Sequence, residues 1–203
     1  MNVLLIDDHP LVNSGIKAIL KETGRFNEVN EALTLTEAKQ FIEANIDNIP
    51  SLIILDILLG EDNGLDFLPF LDKFCKSRKI KKPIVIVCSV LNEPFRIQSA
   101  LEMGAKGYLS KSGGDTELLQ AIDTVLRGEV YISGEHSAKV AQNYGIYSRF
   151  TKREIQILNL IKNSKSNKQI SNELGLSIRT IENHISNIYY KTGTKSKEEL
   201  MKL

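Results

Sequence analysis

The chain has 203 residues, 42% of them hydrophobic and 25% charged, with a formal net charge of +1. That length suits two small domains with real cores, and the composition excludes a disordered or fibrous chain. The charge is unevenly spread: residues 149–203 carry 11 Lys/Arg against 5 Asp/Glu, whereas residues 1–148 carry 15 against 20. The basic C-terminal part is therefore the one suited to nucleic acid.

Two cysteines, Cys75 and Cys88, offer neither a disulfide framework nor metal-ligand spacing, and both read as reduced thiols. The first apolar run reaches Asp7 after four residues, which does not read as a signal peptide. No apolar stretch approaches the roughly 18 residues of a membrane span. The expectation is a cytoplasmic protein with no membrane partner.

In chain order, the first two thirds alternate short apolar runs with amphipathic stretches. The runs are Val3–Ile6, a weaker one at Phe26–Val29, then Leu52–Leu55, Ile84–Cys88 and Tyr108–Leu109. Leu11, Val12, Ile16, Ile19 and Leu20 recur at helical spacing after Pro10, as do Leu118, Leu119, Ile122, Val125 and Leu126. Uniformly apolar strands alternating with helices predict a doubly wound α/β domain, a five-stranded parallel sheet covered on both faces. Periodicity weakens from Ser133 to Tyr147, which reads as a short helix plus linker. After Phe150 the pattern is purely helical.

Ligands in such sheets bind at the carboxyl ends of the strands, where this sequence places Asp7, Asp8, Asp56, Ser89 and Lys111. An Asp pair by itself also suits a helix N-cap and its solvated neighbour. Three carboxylates from two strands, however, need a cation to coexist, and an oxygen-only set points to a hard ion such as Mg²⁺. With Lys111 and Ser89 added, the set fits phosphoryl chemistry. Asp56 is the candidate nucleophile, Lys111 the partner of a phosphoryl oxygen and Ser89 a hydrogen-bond donor to another.

The strings "LLIDDHP", "LIILDILLGEDNGLDFL", "VIVCSV" and "ALEMGAKGYLSKSG" together resemble the receiver domain of response regulators, a flavodoxin-like fold. The resemblance implies that Asp8 binds Mg²⁺ directly and Asp7 largely through water. It also implies that Asp56 is both phosphoacceptor and ligand, that the backbone carbonyl of Leu58 completes the protein ligands, and that Ser89 and Tyr108 form a switch pair. Tyr108 also suits a plain half-buried aromatic. Gly60 stands where the family often has Pro, while Gly64 keeps its family place. A phosphoaspartate phosphatase uses the same nucleophile and ion, but Leu58 stands where its second acid would be. The protein is thus expected not to be an enzyme, apart from accepting and losing its own aspartyl phosphate.

The segment "NKQISNELGLSIRTIENHISNIYYKTG" places a helix, a Gly-bearing turn at Leu174–Leu176 and a second helix capped by Ser177. A plain helical bundle shares that spacing, but the positive charge and the polar face of the second helix favour DNA. Ile178, Ile181, Ile185 and Ile188 form its apolar face. From Phe150 onward the chain resembles the LuxR-type helix-turn-helix domain, and with the receiver this implies a NarL/FixJ-type response regulator. Its domains would be a receiver at 1–130, a linker with a short helix at 131–148 and a DNA-binding domain at 149–203. Base reading would fall to Arg179, Glu182, Asn183 and Ser186, and phosphate contacts to Lys168, Ser177, Thr180 and Lys191. Many relatives carry Lys where Glu182 stands. The implied partners are a sensor histidine kinase, double-stranded DNA and a second copy of the chain, with Leu200 and Leu203 contributing to the dimer contact.

Overall fold

The computed structural model describes residues 1–134 and 150–201. The chain divides into two compact units, one built from residues 1–92 and 103–137 and the other from residues 93–102 and 138–203. The elements up to residue 134 are β1 (Asn2–Ile6), α1 (Pro10–Glu22), β2 (Glu28–Ala32), α2 (Leu35–Ala44), β3 (Leu52–Leu55), β4 (Leu58–Leu59), β5 (Asp62–Asn63), α3 (Phe67–Arg78), β6 (Ile84–Ser89), α4 (Pro94–Glu102), β7 (Gly107–Ser110), α5 (Gly114–Leu126) and β8 (Tyr131–Ile132).

Six of the strands form one parallel sheet in the order β2-β1-β3-β6-β7-β8. Val3, Leu5, Leu52, Ile54, Ile86, Cys88 and Leu109 point to one face and pack with Ile16 and Leu20 of α1 and with Leu118, Ile122 and Val125 of α5. The alternate residues Leu4, Ile6, Ile53, Leu55, Val85 and Val87 point the other way and are also buried. Burial on both faces is why these strands read as unbroken apolar runs, each large side chain contributing about 1.5–3 kcal/mol. The sheet order reverses at β1, which pairs with β2 on one side and β3 on the other. The carboxyl ends of these strands therefore flank the natural ligand crevice.

Several expectations shift. The second strand is Glu28–Ala32 rather than a run from Phe26; it is an edge strand with only Ala32 buried, so it needs no apolar pattern, while Phe26 joins the core. The sheet gains a sixth, two-residue strand at Tyr131–Ile132, inside the stretch expected to be linker, because β7 has a free edge to accept it. The short helix expected in the linker falls mainly on residues 135–149 and lies outside the described residues. Leu11, expected on the buried face of α1, is 88% exposed. Both cysteines are free and buried, and burial pushes the Cys88 thiol up to about 12.

The second unit contains the helices α6 (Lys152–Lys162), α7 (Asn167–Leu174), α8 (Ile178–Thr192) and α9 (Lys197–Leu200). Their core joins Ile155, Leu158 and Ile161 with Ile170, Ile181, Ile185, Ile188 and Leu200. α7 starts in a capping box between Ser166 and Gln169 and stops at Gly175, whose φ of 63° suits a residue without Cβ. Ser177 then caps α8 by accepting from the Thr180 amide. Ile178 is 46% exposed, so the buried seam of α8 begins at Ile181. Leu200 is fully buried within its own unit, which corrects its expected part in a dimer contact; Leu203 lies outside the described residues. Among the described residues, no helix is long and apolar enough to cross a membrane.

Candidate functional site

Asp7 and Asp8 directly follow β1 and Asp56 directly follows β3, so the register of two neighbouring parallel strands delivers three acids to one place. The Asp56 amide donates to the Ile6 carbonyl at 2.8 Å, extending that pairing into the site. Asp7 and Asp56 are buried, 5% and 2% exposed. Lys111, just past β7, brings its Nζ to 2.6 Å from Asp7 Oδ2 and to 2.6 Å from Asp56 Oδ2. Burial pushes the Lys111 ammonium down, but the hydrogen bonds it donates to Asp56 and Asp7, with the charges of those acids, outweigh it and hold its pKa above the ordinary lysine value. The lysine therefore stays charged between the two acids.

The loop after β3 is shaped around the same point. The Ile57 amide donates to Asp56 Oδ1 at 2.6 Å, and the Gly60 amide reaches Asp8 Oδ2 at 2.9 Å. Leu58 and Leu59 pair with Asp62 and Asn63 in a two-residue hairpin. At Gly64 a Cβ would stand 1.9 Å from the Asp56 carbonyl oxygen, so only glycine fits. Gly60 adopts a positive φ of 60°, a backbone conformation closed to proline.

Ser89 ends β6, fully buried, with its Oγ accepting from the Leu91 amide at 3.4 Å. Tyr108 is fully buried rather than half-buried, and its hydroxyl donates to the Leu91 carbonyl. Ser89 and Tyr108 thus converge on the residues that leave β6. The Lys111 amide donates to the Ser89 carbonyl at 3.0 Å, tying the lysine's strand end to the serine's.

Sequence reasoning missed two neighbours of the pocket. His9 places Nδ1 3.2 Å from Asp7 Oδ1 and 2.6 Å from Asp8 Oδ1. Asn13, fully buried in α1, donates to the Asp7 carbonyl at 2.9 Å and fixes that turn. The string "DDHP" offered a signal for His9, but Asn13 reads as one polar residue on an amphipathic helix. Asp7, Asp8, His9 and Asp56 each offer a ligand atom within 4.8 Å of the others, with Asp8 Oδ1 buried against the His9 imidazole. Three carboxylates brought together from two strands form an oxygen-rich set that fits a hard divalent ion.

In the helical unit, Arg179, Glu182, Asn183 and Ser186 all lie exposed along α8, opposite the buried Ile181, Ile185 and Ile188. Lys168 is exposed on α7. Ser177 and Thr180 are engaged in the cap of α8, their hydroxyls 2.8 Å apart. Lys191 does not project freely: its Nζ lies 2.6 Å from Oε2 of the buried Glu154, which also accepts from the Thr151 amide at 2.7 Å in the capping box that starts α6. Its geometry is that of an internal ion pair. Sequence reasoning also missed Glu154, although Thr151 and Glu154 stand at capping-box spacing.

Residues 3–123 match the family model of the response regulator receiver domain, and residues 148–203 match that of bacterial regulatory proteins of the luxR family. The transcriptional regulatory protein LiaR of Bacillus subtilis (strain 168) is 29% identical over 198 residues, covering 94% of this chain and 90% of its own. The oxygen regulatory protein NreC of Staphylococcus aureus (strain MRSA252) is 29% identical over 218 residues, covering 99% and 95%. Among solved structures, RcsB of Salmonella enterica serovar Typhimurium, bound to a promoter in the presence of phosphomimetic BeF3−, superposes with a TM-score of 0.75 at 24% identity, covering 100% of this chain and 96% of its own. At that identity the superposition speaks for the fold. The two family matches, one covering the strand-end acids and the other the exposed face of α8, lead to one conclusion: the chain belongs to the response regulators, a DNA-binding transcription regulator in which a receiver domain precedes a luxR-type domain.

Proposed function

We propose that a sensor histidine kinase transfers a phosphoryl group to Asp56 and that the phosphorylated chain binds two DNA half-sites as a homodimer in the cytoplasm. The observation that carries this reading is the Lys111 ammonium held 2.6 Å from both Asp7 and Asp56 at the reversal point of the sheet. A carboxylate oxygen of Asp56 attacks phosphorus, the bond from phosphorus to the kinase imidazole nitrogen breaks, and the nitrogen keeps the electron pair. Mg²⁺ held by Asp8, Asp56 and the Leu58 carbonyl, with Asp7 acting through water, would supply charge neutralisation. Lys111 then turns from the acids to a phosphoryl oxygen. Ser89 donates to another, and the segment gripped by Tyr108 at Leu91 shifts with it. A swing from 1:99 to 99:1 between two states needs about 5.5 kcal/mol of differential binding, a sum that charge-assisted bonds to a dianion and dimer contacts supply together. RcsB–DNA structures, including two RcsB dimers on two parallel DNAs, support a DNA-bound dimer here by likeness of fold.

The test is DNA binding by wild type and Asp56→Asn with and without acetyl phosphate and Mg²⁺. Wild type should bind at least tenfold more tightly once phosphorylated and Asp56→Asn should not respond. An equal response of both proteins would exclude Asp56 as the acceptor.

On the DNA side, Arg179, Glu182, Asn183 and Ser186 would read bases and Lys168 would hold a phosphate, with Ser177 and Thr180 contributing at the helix start. Glu182 is an acid on a face that meets phosphates; it repels the backbone yet accepts a hydrogen bond from a cytosine amino group. Glu182→Lys is expected to tighten binding to random duplex by about tenfold and to steepen its salt dependence by about one unit of slope. Discrimination against random sequence should fall. Filter binding across salt concentrations checks this, and unchanged affinity for random duplex would refute it.

A further inference from the structure

α8 carries an exposed aromatic side chain that the reading above leaves unused. Tyr190 is 90% exposed. It stands four residues beyond Ser186 and seven beyond Asn183 on a continuous helix. At 3.6 residues per turn it falls within about 20° of both Arg179 and Asn183 around the helix axis and nearly opposite Ile181 and Ile188. It therefore lies in the middle of the outward stripe and not at its margin. Its neighbours are both occupied elsewhere: Tyr189 packs against the core and Lys191 pairs with Glu154. Tyr190 is the last outward side chain of the stripe before the helix ends at Gly193.

We propose that Tyr190 is a further DNA-contacting residue, donating its hydroxyl proton to a backbone phosphate oxygen at the far end of α8. The inference rests on α8 being the helix that enters the major groove. A recognition helix reads base edges from its N-terminal residues. Tyr190 is 11 positions beyond Arg179 in the chain, about 16 Å further along the axis. That exceeds the roughly 12 Å width of the groove, so the hydroxyl meets the sugar–phosphate wall. Tyrosine is among the side chains that position a protein on DNA in this way. Because it is uncharged, its contact releases no counterion. A protein partner seated on the same stripe would exclude DNA from it, which makes the nucleic acid the favoured occupant.

The test uses the full chain with beryllofluoride and Mg²⁺, a duplex selected by the wild-type protein from a random pool, and a random duplex of equal length. Tyr190→Phe removes only the hydroxyl from an exposed site. It should weaken binding to both duplexes by about tenfold, the worth of a hydrogen bond to a charged group, without changing the salt slope. Tyr190→Lys should instead steepen the slope by about 0.9. Binding by Tyr190→Phe within twofold of wild type on both duplexes overturns the proposal. So does a loss confined to the selected duplex, which would mean a base contact. Weaker self-association of Tyr190→Phe without DNA, measured by sedimentation, also overturns it, since that would place the ring in a protein interface. Failure of the wild-type protein to bind either duplex would instead bring down the DNA-binding reading on which the proposal stands.

Discussion

In the absence of divalent ions, replacing Lys111 with methionine is expected to lower the unfolding free energy by about 3 kcal/mol. The ammonium is 2.6 Å from Asp7 Oδ2 and 2.6 Å from Asp56 Oδ2, and the three side chains are only 10%, 7% and 1% exposed. Methionine keeps most of the apolar stem but leaves two buried carboxylates facing each other. Removing one partner of a buried ion pair typically costs about 3–5 kcal/mol. The lower end applies here because the lysine side chain is 10% exposed, so water reaches part of the vacated position. Since the wild-type lysine has its pKa raised by these two acids, the wild-type contact persists throughout the neutral range. Mg²⁺ should restore much of the lost stability, because a cation bound by the acids supplies the missing positive charge. Urea unfolding of both proteins in EDTA and in millimolar Mg²⁺ checks this. Equal midpoints in EDTA, or a variant that Mg²⁺ does not stabilise more than wild type, would show that the lysine does not hold the acids together.

The second large effect is expected in the helical unit. Lys191→Met should destabilise it by about 2–3 kcal/mol, because Glu154 is 3% exposed and would lose its cation. For a domain of this size that is a fall in melting temperature of roughly 10–20 °C. Burial pushes the Glu154 carboxyl up, but the hydrogen bonds from Lys191 and from Thr151, with the lysine's charge, hold it below the ordinary value of 4.5. The sign follows from that depression: the unfolded chain binds the proton more readily, so the stabilisation is complete above about pH 4.5 and is lost as pH falls through the folded value. Glu154→Gln should abolish this acid-side slope. Thermal melts from pH 3 to pH 7 report both effects. If Lys191→Met melts like wild type and only binds DNA more weakly, the lysine is a phosphate contact and not an internal strut.

The two units differ in how far their sites were readable. In the sheet, Asp7, Asp8, Asp56, Ser89 and Lys111 each end or follow an apolar strand. In a parallel sheet buried on both faces, the first polar residue after such a run marks the rim where ligands bind, so linear position translates directly into place. His9 and Asn13 escaped because their importance depends on where the turn after β1 points and on a helical face that sequence periodicity treats as ordinary. In the helical unit, the exposed stripe of α8 followed from its 3.6-residue period. Lys191 did not follow: its ion pair spans 37 residues, and no local pattern reports a contact between the start of one helix and the end of another. For the same reason Leu200 read as an outward dimer contact although it completes the helical core.

The alternation of strands and helices, the acids at the strand ends, the turn at Gly175 and the polar stripe of α8 follow from local chemistry, because each depends on neighbours a few residues apart. Long-range packing alone sets Lys111 between Asp7 and Asp56, bars a side chain at Gly64 beside the Asp56 carbonyl, closes a sixth strand onto β7 and holds Lys191 against Glu154. Those features arise from atoms distant in the chain brought within a few ångströms, where burial strengthens charge and leaves no room for a misplaced carbon.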